Sequence, residues 1–167
     1  MMKAQPRSKA FIRLIVEQIR KILQINNDEK VDVIRLLEFV ICPNMDISLQ
    51  IVEEKYMQDK YAEYSPVEQT IKIREDVYNR AIDGVGRDRF TISHEIGHIF
   101  LHSNNIAMAR SNEQFPIYCD PEWQANVFAR EFLCPLSGIS KYDNVDDISK
   151  KYGVSKEVSS IQLSEKK

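Results

Sequence analysis

Cysteine is scarce and awkwardly spaced. Cys42, Cys119 and Cys134 form an odd set without a Cys-x-x-Cys pair, which argues against a disulfide framework and against a cysteine-based zinc knuckle, and points to a reducing cytoplasm. An excess of one charge is lacking too. Lys and Arg number 23 against 25 Asp and Glu, a net charge of −2, so no global field draws the chain to nucleic acid or to an anionic membrane, and any partner is recognised locally. No apolar run is long enough to span a bilayer. After Lys3, Arg7 and Lys9 the apolar residues are interrupted by Arg13, Glu17, Arg20 and Lys21, so no signal-peptide core forms. Repeats and low-complexity tracts are absent as well.

What is present suffices for one core. With 167 residues, 43% of them hydrophobic, one compact domain is expected rather than two independent enzyme domains. Phe11, Ile12, Ile15, Ile19, Ile22 and Leu23 recur at three- and four-residue steps, which predicts an amphipathic helix from Lys9 to Ile25, broken by the Asn26-Asn27-Asp28 run. A second helix is expected over Val31–Ile41, stopping at Cys42-Pro43, because the residue before a proline is pushed out of the helical region. ISLQIV and EQTIKI read as strands of one small sheet of two to four strands, with Ser65-Pro66 marking a turn. A short helix is expected to end near Gly84, and another to start at Asp120-Pro121, an N-cap followed by proline at the first helical position. Two further helical patterns lie around DDISKKYG and SKEVSSIQL.

All three histidines fall in FTISHEIGHIFLH, Phe90 to His102. His94 and His98 are four residues apart, hence on one helix face and about 6 Å apart along the axis, close enough for two imidazoles to converge on one ion. Glu95 is rotated by about 100° and flanks the ion without binding it, where it can take a proton from the attacking water. Phe90, Ile92, Ile96, Ile99, Phe100 and Leu101 surround these polar groups, so the helix is expected to be largely buried, where imidazoles and carboxylates need partners. Gly97 costs such a helix roughly 1 kcal/mol relative to Ala, for which two compensations stand equally: tight helix packing, or close approach to the wall of a substrate channel.

The third ligand is less direct. His102 is two turns, about 12 Å, from His94, too far for one straight helix to wrap all three side chains round one ion; a role at the helix end, interacting with carbonyls, suits it better than oxyanion stabilisation. The pattern H-E-x-x-H-x-x-G-x-x-H is excluded because Leu101 and Asn104 occupy its glycine and third-histidine positions. A carboxylate from a later helix remains, giving a two-histidine, one-glutamate set with an open fourth position. Glu113, Asp120, Glu122 and Glu131 are the options. Glu122 is the best placed, since it opens a helix carrying Trp123, Ala125, Val127, Phe128, Ala129 and Phe132, the alternative being a carboxylate that merely complements the helix N-terminus. Asn126, on the same face, could hydrogen-bond the far nitrogen of a ligand histidine.

FTISHEIGHIFLH followed by EWQANVFAREFLCP resembles the ImmA/IrrE family of bacterial metallopeptidases, in which H-E-x-x-H precedes a helix bearing E-x-x-A-N-x-F-A and then L-x-P; here the matching residues are Glu122, Ala125, Asn126, Phe128, Ala129 and Leu133-Cys134-Pro135. The likeness covers 46–135. It implies an α+β, zincin-like minimal metallopeptidase, a small and mostly antiparallel sheet packed on the HExxH helix and the Glu-bearing helix, with flanking helices. Residues 1–167 then form one domain, with a helical lead-in over 1–45, a catalytic core over 46–135 and a helical tail over 136–167 whose pattern is helix-turn-helix-like. The implied site is His94, His98 and Glu122 on one divalent ion, zinc first and manganese second, with Glu95 as catalytic base. The implied substrate is a helix-turn-helix transcriptional repressor, whose cleavage derepresses mobile-element or stress-response genes. Peptides commonly bind metallopeptidases as an added strand, for which EQTIKI is the candidate edge, an ordinary core strand being the alternative. The rival function is a non-catalytic, metal-stabilised regulator or toxin–antitoxin partner that binds DNA through the C-terminal helices. Residues 141 to 167 carry six Lys, no Arg and five acids, a weak phosphate footprint, so neither nucleic acid nor membrane is expected as a partner.

Overall fold

The computed structural model describes residues 2–57, 59–102, 109–110 and 115–166. The first helix, α1 (Lys9–Ile22), starts where the Ser8 side chain accepts from the Phe11 amide and ends with Lys21 and Arg20 in its last turn. It stops three residues short of the expected Ile25, and Gln24 takes a positive φ of 56° in the turn that follows.

The second helical stretch departs from expectation. Asp32 caps α2 (Val33–Leu36), but the chain does not leave the helix at Cys42. It widens into a π-helical turn over Leu37–Ile41 and continues as α3 (Cys42–Met45), with Pro43 in the first turn. The Cys42 amide bonds to the Leu37 carbonyl five residues back. A new helix start tolerates proline where a helix interior does not, since the N–H that proline lacks would have no intrahelical acceptor. The left-handed Asp46 then turns the chain into the sheet.

Three strands make that sheet, in the order β2 (Ser48–Val52), β4 (Thr70–Arg74), β3 (Ala62–Ser65). It is mixed: β2 pairs with β4 in parallel, Leu49 opposite Ile71, and β3 pairs with β4 antiparallel, Tyr64 opposite Ile71. The EQTIKI stretch therefore supplies the central strand, with Ile71 and Ile73 fully buried, and β3 takes the edge. A two-residue strand β1 (Met2–Lys3) pairs antiparallel with β5 (Ala109–Arg110) in a separate ribbon.

β4 runs directly into α4 (Glu75–Ile82), which ends at Asp83 with Gly84 at φ 86°. The two long helices follow. α5 (Gly86–His102) carries FTISHEIGHIFLH, and α6 (Pro121–Leu133) begins as expected, with the Asp120 side chain accepting from the Glu122 amide and Pro121 at the first position. They pack closely. A Cβ on Gly97 would lie 3.2 Å from the Ala125 Cα and 3.2 Å from the Phe128 side chain, so this glycine serves helix packing. Phe128 stacks between Phe100 and Phe132 at ring-centroid distances of 5.9 and 5.6 Å.

The tail forms α7 (Val145–Tyr152), capped by Asn144 and closed by left-handed Gly153, and α8 (Lys156–Lys166). Both lie against the rest of the chain. Tyr152 is fully buried, and the Gln162 side chain donates to the Cys134 carbonyl at 2.7 Å. One buried apolar cluster contains Ile12 and Val16, then Ile92, Ile96 and Phe128, then Ile148 and Tyr152. All three cysteines are free and buried, and no helix among the described residues is long and apolar enough to cross a membrane.

Candidate metal centre

The packing of α5 on α6 brings His94, His98 and Glu122 together; one ligand atom from each lies within 4.8 Å of the others. His94 Nε2 is 3.0 Å from Glu122 Oε2, His98 Nε2 is 3.3 Å from Glu122 Oε1, and the two Nε2 atoms are 3.0 Å apart. Two imidazole nitrogens and a carboxylate this close repel one another unless a proton or a cation lies between them. The donor set of two neutral nitrogens and one carboxylate oxygen suits a divalent transition metal. These residues fit the ion that their types suggest.

Burial differs across the cluster. The histidine side chains are 16% and 15% exposed and that of Glu122 is 62% exposed, so the group opens to solvent on the α6 side. Burial works against a charged His94, but the hydrogen bond to Glu122 and the charges of Glu95 and Glu122 outweigh it and raise its pKa. The same contacts, from His94 first and His98 second, hold the Glu122 carboxyl well below the usual carboxylate range. Protons thus favour the position that a cation would take, and the two compete.

Asn126 and Glu95, beside the cluster, are both engaged. Asn126, one turn beyond Glu122, places its Oδ1 2.9 Å from His94 Nδ1, as its spacing predicts. Glu95, 8% exposed, accepts the Tyr64 backbone N–H at Oε2 over 2.8 Å. Burial raises its pKa, against the opposing pull of His98, His94 and that N–H. The edge strand β3 is therefore fastened to the glutamate of HEIGH.

His102 is not where the sequence suggested. It is 2% exposed, and its partners are His98, Nδ1 to Nδ1 at 3.0 Å, and Gln124, Nε2 to Oε1 at 2.9 Å. Burial lowers its pKa to about 4. The carbonyl of Leu101 at the helix end is bonded by Arg7 instead. The other carboxylate options are committed elsewhere: Asp120 caps α6, and Glu131 pairs with Arg13 at 2.9 Å. Glu113 lies outside the described residues. Gln124 and Tyr64 escaped the sequence reading, because neither belongs to the HExxH spacing and both act through partners distant in sequence.

The profile of a peptidase family, described as the IrrE N-terminal-like domain, matches residues 46–164. The chain belongs to this family, and its likeness extends through both tail helices rather than ending at Pro135. A peptidase function of the metal-dependent type goes with that membership. No curated protein matches the chain.

Proposed function

We propose that the protein is a metal-dependent endopeptidase in which His94, His98 and Glu122 hold one divalent ion, zinc before manganese, and Glu95 is the general base. The observation that carries this reading is the 3.0–3.3 Å convergence of two imidazole nitrogens and a carboxylate, beside a buried glutamate whose second oxygen has no hydrogen-bond partner among the described residues. A divalent ion there supplies Lewis acidity, lowering the pKa of water and polarising the scissile carbonyl.

Glu95 does the proton work. Its Oε2 is held by the Tyr64 N–H, leaving Oε1 to accept the proton of the attacking water and deliver it to the departing amine nitrogen. Asn126 orients the His94 ring. An extended peptide adds to the outer edge of β3, which among the described residues pairs on one side only and touches the site through Tyr64; main-chain bonds give affinity, and side-chain pockets give register.

The substrate we propose is a helix-turn-helix transcriptional repressor, whose loss derepresses mobile-element or stress-response genes in the cytoplasm. The test mixes the metal-loaded protein with the repressor encoded beside its gene. One metal-dependent cut is expected, and Glu95→Gln should keep its ion while cleaving at least about 100-fold more slowly. Cleavage at the wild-type rate by that variant would remove Glu95 from the mechanism.

A further inference from the structure

Gln124 is fully buried, and its Nε2 lies 2.7 Å from the Gln5 carbonyl oxygen and 2.7 Å from that of Tyr118. Carbonyl oxygens only accept, so both amide protons of Gln124 are spent on them and its orientation is fixed. Its Oε1, 2.9 Å from His102 Nε2, can then only accept, and His102 must carry its proton on Nε2. No carboxylate bonds to this buried ring among the described residues, so it is neutral and its Nδ1 is bare. That bare nitrogen faces His98 Nδ1 at 3.0 Å, which must therefore hold a proton. The consequence falls on the other side of the His98 ring: Nε2 is left with its lone pair, and it is the atom that faces His94 and Glu122.

We propose that His102 and Gln124 are positioning residues that set His98 in the tautomer able to bind a metal, with the polarity of the chain imposed by the backbone carbonyls of Gln5 and Tyr118. A histidine free in water prefers the opposite tautomer, so the chain opposes an intrinsic bias. The two ligand histidines are thereby prepared differently, His94 by one side-chain amide and His98 through two buried side chains. The terminus of this chain also matters. Gln5 lies outside the family-matched span 46–164, and its segment is pinned beside α6 by the Ala4 amide on the Cys119 carbonyl at 2.8 Å and the Arg7 amide on the Tyr118 carbonyl at 2.9 Å. The N-terminal segment thus contributes to the centre without supplying a ligand.

This inference rests on the metal reading above, but its main test needs no metal. Nitrogen-15 NMR of the metal-free 167-residue chain, with the histidine rings labelled, should show His98 protonated at Nδ1 and His102 at Nε2. His102→Phe and Gln124→Leu should return His98 toward the mixed tautomers of a free ring and weaken zinc binding in a competition titration by about 10- to 100-fold. His102→Asn, whose carboxamide oxygen can occupy the place of the Nδ1 acceptor, should restore most of both. Wild-type His98 protonated at Nε2 would overturn the proposal, as would a His102→Phe protein that melts lower yet keeps the His98 tautomer and zinc affinity. Absence of zinc uptake by the wild type would instead count against the metal reading, and the tautomer result would distinguish the two failures.

Discussion

At the scale of single residues, the meeting of His94 and His98 was legible because four-residue spacing on a helix places imidazoles together whatever the rest of the chain does. Glu122 and Asn126 were legible more weakly, as one face of a later helix. His102 was not: the sequence shows a third histidine one turn on, but only the fold reveals that Gln124, Gln5 and Tyr118 meet it there. The same separation applies to charge. Asp76 accepts from Arg74 Nε at 2.6 Å and from Arg80 Nη1 at 2.8 Å, and these contacts, Arg74 first, hold its carboxyl well below the usual range. Its unfolded-state pKa is about 3.9, so the group contributes stability that is fully present above that value and is lost as pH falls through the lower folded-state value. Asp76→Asn should therefore melt slightly below wild type near neutral pH, with a gap that closes under acid. The side chain is 36% exposed, and solvent screening keeps the difference below about 1 kcal/mol. Melting curves of both proteins from neutral to acid pH check it; a gap that widens on acidification would contradict the assignment.

At the scale of elements, caps and breakers did most of the work. Asp120-Pro121, Gly84 and Gly153 mark helix ends because their side-chain or backbone chemistry is local. Strand order was illegible for the opposite reason: alternation in EQTIKI reports burial, but a central strand and an edge strand differ only in what pairs alongside. The Cys42-Pro43 break was misread because a π-helical turn lets a helix restart at proline, and no local residue announces that turn. Gly97 links element packing to the site, since it sets how closely the helix bearing Glu122 approaches the helix bearing both histidines. Gly97→Val should cost about 1–3 kcal/mol through overpacking against Ala125 and Phe128, and it should weaken zinc binding as well. Thermal denaturation and a zinc competition titration measure the two effects; a loss of stability with unchanged zinc affinity would show that the helix spacing does not govern the site.

At the scale of the whole molecule, two buried arginines join stretches that the sequence presents as separate. Arg20 donates to the Phe132, Asn26 and Glu29 carbonyls, tying α1 to the end of α6. Arg89 donates to the Val31 carbonyl at 2.6 Å, to that of Tyr152 at 2.8 Å and to that of Gly153, tying α5 to the lead-in and the tail. Neither guanidinium could be matched to these acceptors in advance, because backbone carbonyls carry no sequence signature. Arg89→Met should strand buried acceptors and cost about 2–4 kcal/mol, measurable by denaturant unfolding; a value within about 0.5 kcal/mol of wild type would mean that this tie adds nothing. The site lies between α5 and α6, and its central requirement is one cation held by the two helices together. Anomalous diffraction at the zinc edge from zinc-loaded crystals tests that most directly. The account predicts one peak about 2.0–2.2 Å from His94 Nε2, His98 Nε2 and a Glu122 carboxylate oxygen, and a peak elsewhere, or one that leaves Glu122 out, would contradict it.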